Sequence, residues 1–129
     1  MKPQLNHLIV WTKDRQATAA FFAEVLGLDA PEEFGHFTVV ETGNGVSIDF
    51  ANGEPNRMHL ALLVTEREFD EIFARITDRG IPHWADPRRK RPNQINRDDG
   101  GRGVYFSDPY SRVGWEILTR PYGSGPVAG

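Results

Sequence analysis

Two stretches of the chain follow the same hydrophobic pattern. Residues 5–12 and 58–65 each carry a histidine near the start, then an apolar run, and then a threonine. Apolar runs of this length are typical of buried β-strands. His7 and His59 occupy equivalent positions, and a helix-like segment follows each stretch. The pattern therefore predicts an internal repeat of one structural unit, with a histidine at the equivalent position in each copy.

Amphipathic segments after both strands predict one helix in each half. Asp14 is placed to cap the first helix, which should end at Gly27, because glycine readily adopts the left-handed conformation found at helix ends. Thr65 and Glu68 have the spacing of a capping box ahead of an apolar stripe, which predicts the second helix. Gly80 should end that helix.

Strand-like segments follow each predicted helix, so the order of elements is the same in both halves. Residues 85–101 interrupt the second half as a long polar loop, and long loops in compact domains often carry function. The order predicts the α+β class, with paired βαβββ modules forming a cup-shaped mixed sheet. We expect a single domain of residues 1–129 made of two repeats, about 5–51 and 57–120. The further strands are predicted at residues 37–41, 46–51, 102–107 and 114–119.

Charge and composition narrow the functional classes. The net charge of −3 offers no electrostatic basis for nucleic acid binding. The chain has no cysteine, which excludes disulfides, thiolate metal sites and a cysteine nucleophile. No apolar run approaches the roughly 18 residues that a membrane helix needs. No apolar h-region follows residues 1–4, so we do not expect these residues to belong to a signal peptide. We therefore expect a cytoplasmic protein that does not bind membranes.

Two histidines and two carboxylates lie on the mixed faces of the predicted strands, namely His7, His59, Asp49 and Glu116. A carboxylate on a buried face is costly unless it is paired or binds a metal. Nitrogen and oxygen ligands without sulfur favour Fe(II), Mn(II), Zn(II), Co(II) or Ni(II), and open coordination positions would leave room for a substrate. The role of Asp49 stays open between a loop cap, a hydrogen-bond acceptor, a base and a metal ligand.

Other polar features have simpler interpretations. His36 and His83 have no such partners in the repeat, so we expect both at the surface. The basic run at residues 88–91 lies in the long loop of an acidic chain, and a solvated loop is the expected structure.

Five motifs give the chain a family resemblance. They are Leu5-Asn6-His7-Leu8, Val25-Leu26-Gly27-Leu28, Met58-His59-Leu60-Ala61, Val104-Tyr105-Phe106-Ser107-Asp108-Pro109 and Trp115-Glu116-Ile117-Leu118. With them the chain resembles the vicinal oxygen chelate superfamily, which includes glyoxalase I, extradiol dioxygenases, fosfomycin-resistance thiol transferases and bleomycin-binding proteins. The resemblance extends over residues 5–123 and implies a glyoxalase-like fold and a homodimer.

The resemblance also implies the site residues. His7, His59 and Glu116 match the positions of the family's metal ligands, and Asp49 matches the acid that the glyoxalase branch adds. The turn at residues 108–114 departs from the family pattern by one extra residue ahead of Glu116. A β-bulge is one way to absorb this residue, and without one the direction of the Glu116 side chain would change.

The predicted function is a divalent-metal-dependent enzyme acting on a small oxygenated molecule by isomerisation, ring-opening dioxygenation or thiol transfer. Its metal would bind vicinal substrate oxygens as a Lewis acid, with Tyr105 or Asp49 as the acid or base. The alternative is a non-catalytic resistance protein of the bleomycin-binding type that sequesters an aromatic antibiotic. The three metal-ligating residues favour the enzyme, whereas the aromatic content and the altered turn keep the alternative open.

Overall fold

The computed structural model describes residues 1–125, which divide into two compact units. The first unit comprises residues 1–56 and 108–112, and the second comprises residues 57–107 with the described residues from 113 onward. The elements in chain order are β1 (His7–Thr12), α1 (Arg15–Leu26), β2 (Glu32–Phe34), β3 (Phe37–Glu41), β4 (Ser47–Asn52), β5 (Met58–Leu63), α2 (Glu66–Asp78), β6 (His83–Trp84), β7 (Gly103–Phe106) and β8 (Val113–Leu118). Neither helix in this part of the chain has the length and apolar content that a membrane span requires.

The first unit is a four-stranded mixed sheet in the order β1-β4-β3-β2. Strands β1 and β4 are parallel, and the other pairs are antiparallel. Helix α1 packs on one face of this sheet, where Val10, Val40 and Phe50 are almost inaccessible to solvent. The opposite face is more open and carries the exposed His7 and the half-buried Asp49.

Helix α1 begins and ends as its sequence predicts. The side chain of Asp14 accepts a hydrogen bond from the backbone N–H of Ala17 at 3.0 Å. Gly27 adopts the left-handed conformation with φ of 70°, and its N–H donates to the carbonyl of Ala23. Both ends of the helix therefore have partners for backbone groups that the helix itself leaves free.

The second unit repeats the strand order as β5-β8-β7-β6, and here too the pair formed by its first strand, β5–β8, is parallel. Its buried side chains come from α2 and from one face of the sheet, and the largest are Phe69, Ile76, Phe106, Trp115 and Ile117. The shared order confirms the α+β class and the paired βαβββ modules. The division of one domain into repeats at 5–51 and 57–120 stays a prediction.

The predicted capping box is present at the start of α2. The hydroxyl of Thr65 accepts from the N–H of Glu68 at 3.0 Å, and the carboxylate of Glu68 accepts from the N–H of Thr65 at 2.8 Å. Each side chain thus satisfies a backbone donor that has no partner within the helix.

Thr65→Ala is expected to lower the free energy of unfolding by about 1 kcal/mol, because it removes the oxygen that caps the helix. Urea melts followed by circular dichroism would measure the change. Thr77→Ala in the last turn of the same helix is the control, since the hydroxyl of Thr77 only adds bonds to the carbonyls of Phe73 and Ala74. An unchanged midpoint for Thr65→Ala would show that the cap does not stabilise α2.

Two short strands and one buried histidine differ from the sequence prediction. Strands β2 and β6 were not predicted, and the expected surface position of His83 is wrong. His83 is only 9% exposed, its Nδ1 donates to the carbonyl of Ile81 at 2.9 Å, and its ring packs edge-on against Phe73 of α2. A backbone acceptor and an aromatic neighbour satisfy this side chain inside the core. His36 is exposed, as expected.

The one-residue departure ahead of β8 does not turn Glu116 away from His59, and no bulge is needed for this. Strand β8 pairs residue by residue with β5 from Val113 to Leu118. Before it, the carboxylate of Asp108 accepts from the N–H groups of Tyr110 and Ser111 at 2.8 and 2.7 Å. This capped turn absorbs the additional residue and leaves the register of the last strand regular.

Candidate functional site

Strands β5 and β8 bring His59 and Glu116 together on one face of the second unit. His59 is paired with Gly114 and Ala61 with Glu116, so the two side chains lie on the same face. Nε2 of His59 lies 2.9 Å from Oε1 of Glu116, a distance at which an imidazole N–H donates to the carboxylate. The side chain of Glu116 is 9% exposed and that of His59 is 52% exposed. A covered carboxylate is therefore paired with an accessible imidazole.

Tyr105 of β7 supports both members of this pair. It is paired with Glu116 across the sheet, and its ring stacks on His59 with centroids 5.8 Å apart. Burial, the negative charge of Glu116 and the hydrogen bond to Glu116 together raise the pKa of Tyr105 to about 12. The phenol therefore stays protonated at neutral pH and donates to the carboxylate.

A pocket of about 390 Å³ opens beside the pair, which is a size typical of small-molecule sites. His59, Tyr105 and Glu116 form its polar side. Its remaining walls come from Ala61, Pro87, Leu118 and Tyr122. Polar groups that converge on one side of a largely apolar pocket can orient a ligand.

The first unit carries the other two predicted site residues on the open face of its own sheet. His7 begins β1 and its Nδ1 lies 2.7 Å from Oδ1 of Asn6. Asp49 of β4 accepts a hydrogen bond from the hydroxyl of Ser47 at 3.1 Å. Asp49 is paired with the residue two positions after His7, as Glu116 is paired with the residue two positions after His59. The register thus reproduces the sequence repeat.

His59 and Glu116 have donor atoms suited to one metal ion. An imidazole nitrogen and a carboxylate oxygen are common ligands of divalent metals, and these two atoms lie 2.9 Å apart, close enough that both would bind one ion. Within residues 1–125, no group of three or more histidine and acidic side chains is gathered for metal binding. The pair therefore fits part of a coordination set made of nitrogen and oxygen.

Sequence reasoning missed two residues of this pocket, Pro87 and Tyr122. Neither belongs to a periodic pattern or a motif. The length of the loop at 85–101 was the available signal for Pro87, because long loops in compact domains are often functional. Tyr122 lies after the last strand, where no local pattern marks a ligand contact.

The chain belongs to the Glyoxalase/Bleomycin resistance protein/Dioxygenase superfamily, whose model it matches over residues 4–117. This match confirms the family resemblance that the motifs predicted. A local match to a vicilin-like seed storage protein of Arabidopsis thaliana has 36% identity over 67 residues, which are 52% of this chain and 9% of that protein. The chain thus spans a small fraction of that relative's length.

Several solved structures share the fold. Oxidase ChaP-H1 is 55% identical, with 95% of this chain and 99% of that chain covered and a TM-score of 0.90. Oxidase ChaP-H2 is 50% identical, with 97% and 99% covered and a TM-score of 0.91. FosX, a fosfomycin resistance protein from Listeria monocytogenes solved with Mn(II) and sulfate, is 21% identical, with 96% and 95% covered and a TM-score of 0.70. At that identity, the likeness to FosX shows the fold alone.

Proposed function

We propose that this protein is a divalent-metal-dependent oxidase that acts on a small oxygenated molecule in the pocket beside His59 and Glu116. The observation that carries this proposal is the 2.9 Å contact between an accessible imidazole and a covered carboxylate at the wall of that pocket. Similarity to the oxidases ChaP-H1 and ChaP-H2 over nearly the whole chain supports an oxidation rather than isomerisation or thiol transfer.

His59 and Glu116 are the proposed metal ligands, and His7 is the proposed third. The support for His7 is its equivalence to His59 in the repeat. Mn(II) in the FosX structure supports a divalent metal in this superfamily. Among Fe, Mn, Zn, Ni and Co, an oxidase disfavours zinc, because zinc has no redox chemistry. Iron and manganese are the metals proposed here. A metal bound there would supply Lewis acidity toward vicinal substrate oxygens and a redox-active centre.

Other residues of the chain would hold the ligands and the substrate. The phenol of Tyr105 fixes Glu116 by a hydrogen bond and His59 by stacking, so both side chains keep the orientation that a metal needs. Tyr105 and Asp49 are the proposed acid–base groups, Tyr105 as a proton donor and Asp49 as an acceptor. The homodimer common in this superfamily is also part of the proposal.

The test is metal loading followed by oxygen uptake. Protein purified without chelators or metal-affinity resin should bind close to one equivalent of Fe(II) or Mn(II) per site under anaerobic conditions. It should then consume dioxygen with members of a panel of vicinally oxygenated aromatics. His59→Ala should lose most of the metal, whereas His36→Ala, which removes an exposed histidine, should keep it. If metal-replete wild type binds none, the proposal fails.

The apolar walls and the two phenols of the pocket favour a second candidate, a protein that sequesters an aromatic antibiotic. Stacking and apolar burial need no cation, so affinity for such a ligand should survive His59→Ala. Equal and tight aromatic binding by wild type and His59→Ala, without any product, would establish sequestration in place of oxidation.

A further inference from the structure

The positively charged side chain of Arg89 lies on the sheet face that also carries His59 and Glu116. Trp84 of β6 is paired with Tyr105, and Tyr105 is paired with Glu116. Directly paired residues of antiparallel strands present their side chains on one face, so these three form a row across the sheet. The guanidinium of Arg89 lies over the Trp84 ring, 4.4 Å from its centroid. Arg89 thus extends the row that begins at the proposed metal ligand.

The turn that carries Arg89 has a defined shape. The carboxylate of Asp86 accepts from the N–H of Lys90 at 3.1 Å and of Arg91 at 2.8 Å, and the N–H of Ala85 donates to the carbonyl of Arg91 at 3.0 Å. Desolvation raises the pKa of Asp86, but these backbone hydrogen bonds outweigh it and hold the pKa below its usual range. The basic run is exposed, as the sequence predicted, but it is part of a hydrogen-bonded turn.

Arg89 adopts a backbone conformation that arginine rarely takes. Its φ of 61° lies in the left-handed region, which glycine occupies without strain. Strained residues persist where the surrounding structure imposes them, and they concentrate at functional sites. A long cationic side chain at a position suited to glycine indicates that the side chain itself has a use.

The guanidinium of Arg89 has N–H donors that are available to a ligand. Among the described residues, no carboxylate forms an ion pair with it, and its contact with Trp84 uses the face of the guanidinium and leaves the N–H edge free. Two residues before it, Pro87 lines the pocket that also contains His59 and Glu116. Arg89 itself lies outside the lining of this pocket, so an anion that extends past Pro87 would meet its rigid, planar set of donors.

We propose that Arg89, held on Trp84, binds a carboxylate of the substrate whose other end reaches His59 and Glu116; this rests on the proposed oxidase function. Neighbouring strands are about 4.8 Å apart, so Trp84 lies two strands, or roughly 10 Å, from Glu116. A flat molecule of about two fused rings, with an acid at one end and vicinal oxygens at the other, spans this distance. The pocket of about 390 Å³ would hold the end that carries the vicinal oxygens, and the acid would extend past Pro87 to Arg89.

Naphthalene-2-carboxylate and its neutral carboxamide are the probes, titrated into metal-free protein at low ionic strength. Wild type should bind the carboxylate about five- to tenfold more tightly than the amide, as expected for one accessible charge-assisted contact. Arg89→Gln and Arg89→Gly should abolish this preference, and the glycine suits the turn, so its fold should be intact. Arg67→Gln, which removes a largely exposed arginine on α2, should preserve the preference.

Equal affinities for the two probes, no measurable binding of the carboxylate, or a preference that survives both Arg89 variants would overturn the proposal. Because the titration uses metal-free protein, it tests the carboxylate subsite independently of the proposed oxidase function. If metal loading fails while the Arg89-dependent preference persists, the oxidase proposal alone is lost. If metal binds at His59 and the preference is absent, the carboxylate subsite alone is lost.

Discussion

Glu116→Gln is expected to weaken binding of a divalent metal by at least about 100-fold. The amide keeps the shape of the side chain and one acceptor for His59, but it removes the negative charge that neutralises the cation. Changes to residues that only orient a ligand already cost roughly 10- to 100-fold in metal affinity, so the loss of a charged ligand should cost more. Competition with a chromophoric chelator would measure the affinity, and turnover should fall in parallel.

Glu54→Gln is the control for this change, because it removes one charge from an exposed loop residue and should leave metal affinity unchanged. Circular dichroism should show both variants folded. If Glu116→Gln binds metal as tightly as Glu54→Gln, Glu116 is not a ligand, and the metal centre must be sought away from β8.

Trp115→Ala is expected to lower the free energy of unfolding by about 3–5 kcal/mol. Trp115 is inaccessible to solvent and lies next to Glu116 on the opposite face of β8, within the core of the second unit. Removing its indole leaves a large cavity that the surrounding side chains fill only in part. Domains of this size are typically stable by about 5–15 kcal/mol, so the variant should lie near the limit of folding.

Urea unfolding followed by far-UV circular dichroism would measure this loss. Trp11→Ala is the matched control, because 43% of Trp11 is exposed and its removal leaves less empty space. Comparable destabilisation by the two substitutions would show that the buried side of β8 contributes no more to stability than the open face of β1.

Much of the fold followed from repeated local patterns. The sequence signals for strands, helices and turns agreed with each other. The capping box at Thr65 and the helix end at Gly27 could be predicted because each depends on contacts within a few residues of the chain. The repeat also placed His59 and Glu116 on the mixed faces of their strands, but the adjacency of β5 and β8 that brings them together came only from the structure. Whether His7 joins them as a ligand stays a prediction.

The missed features depend on contacts between distant segments. Strand β2 begins with Glu32 and Glu33, although glutamate is depleted in β-strands. The carboxylate of Glu33 accepts hydrogen bonds from the side chains of Gln16 and Thr38, which lie elsewhere in the chain. The buried site of His83 requires Phe73, which no sequence spacing associates with it. The left-handed backbone conformation of Arg89 could not be predicted from the sequence either, because only a glycine or an asparagine would have suggested it.

The parallel pair β5–β8 has a consequence for how the chain folds as it is synthesised. Met58 pairs with Val113, so β5 leaves the ribosome long before its partner exists. During that interval its backbone N–H and C=O groups form an unpaired edge that can associate with other chains. Non-local pairing of this kind also slows folding. The His59–Glu116 pair can therefore form only after Glu116 has left the ribosome, and nascent chains that stall before Glu116 should be the species most prone to aggregate.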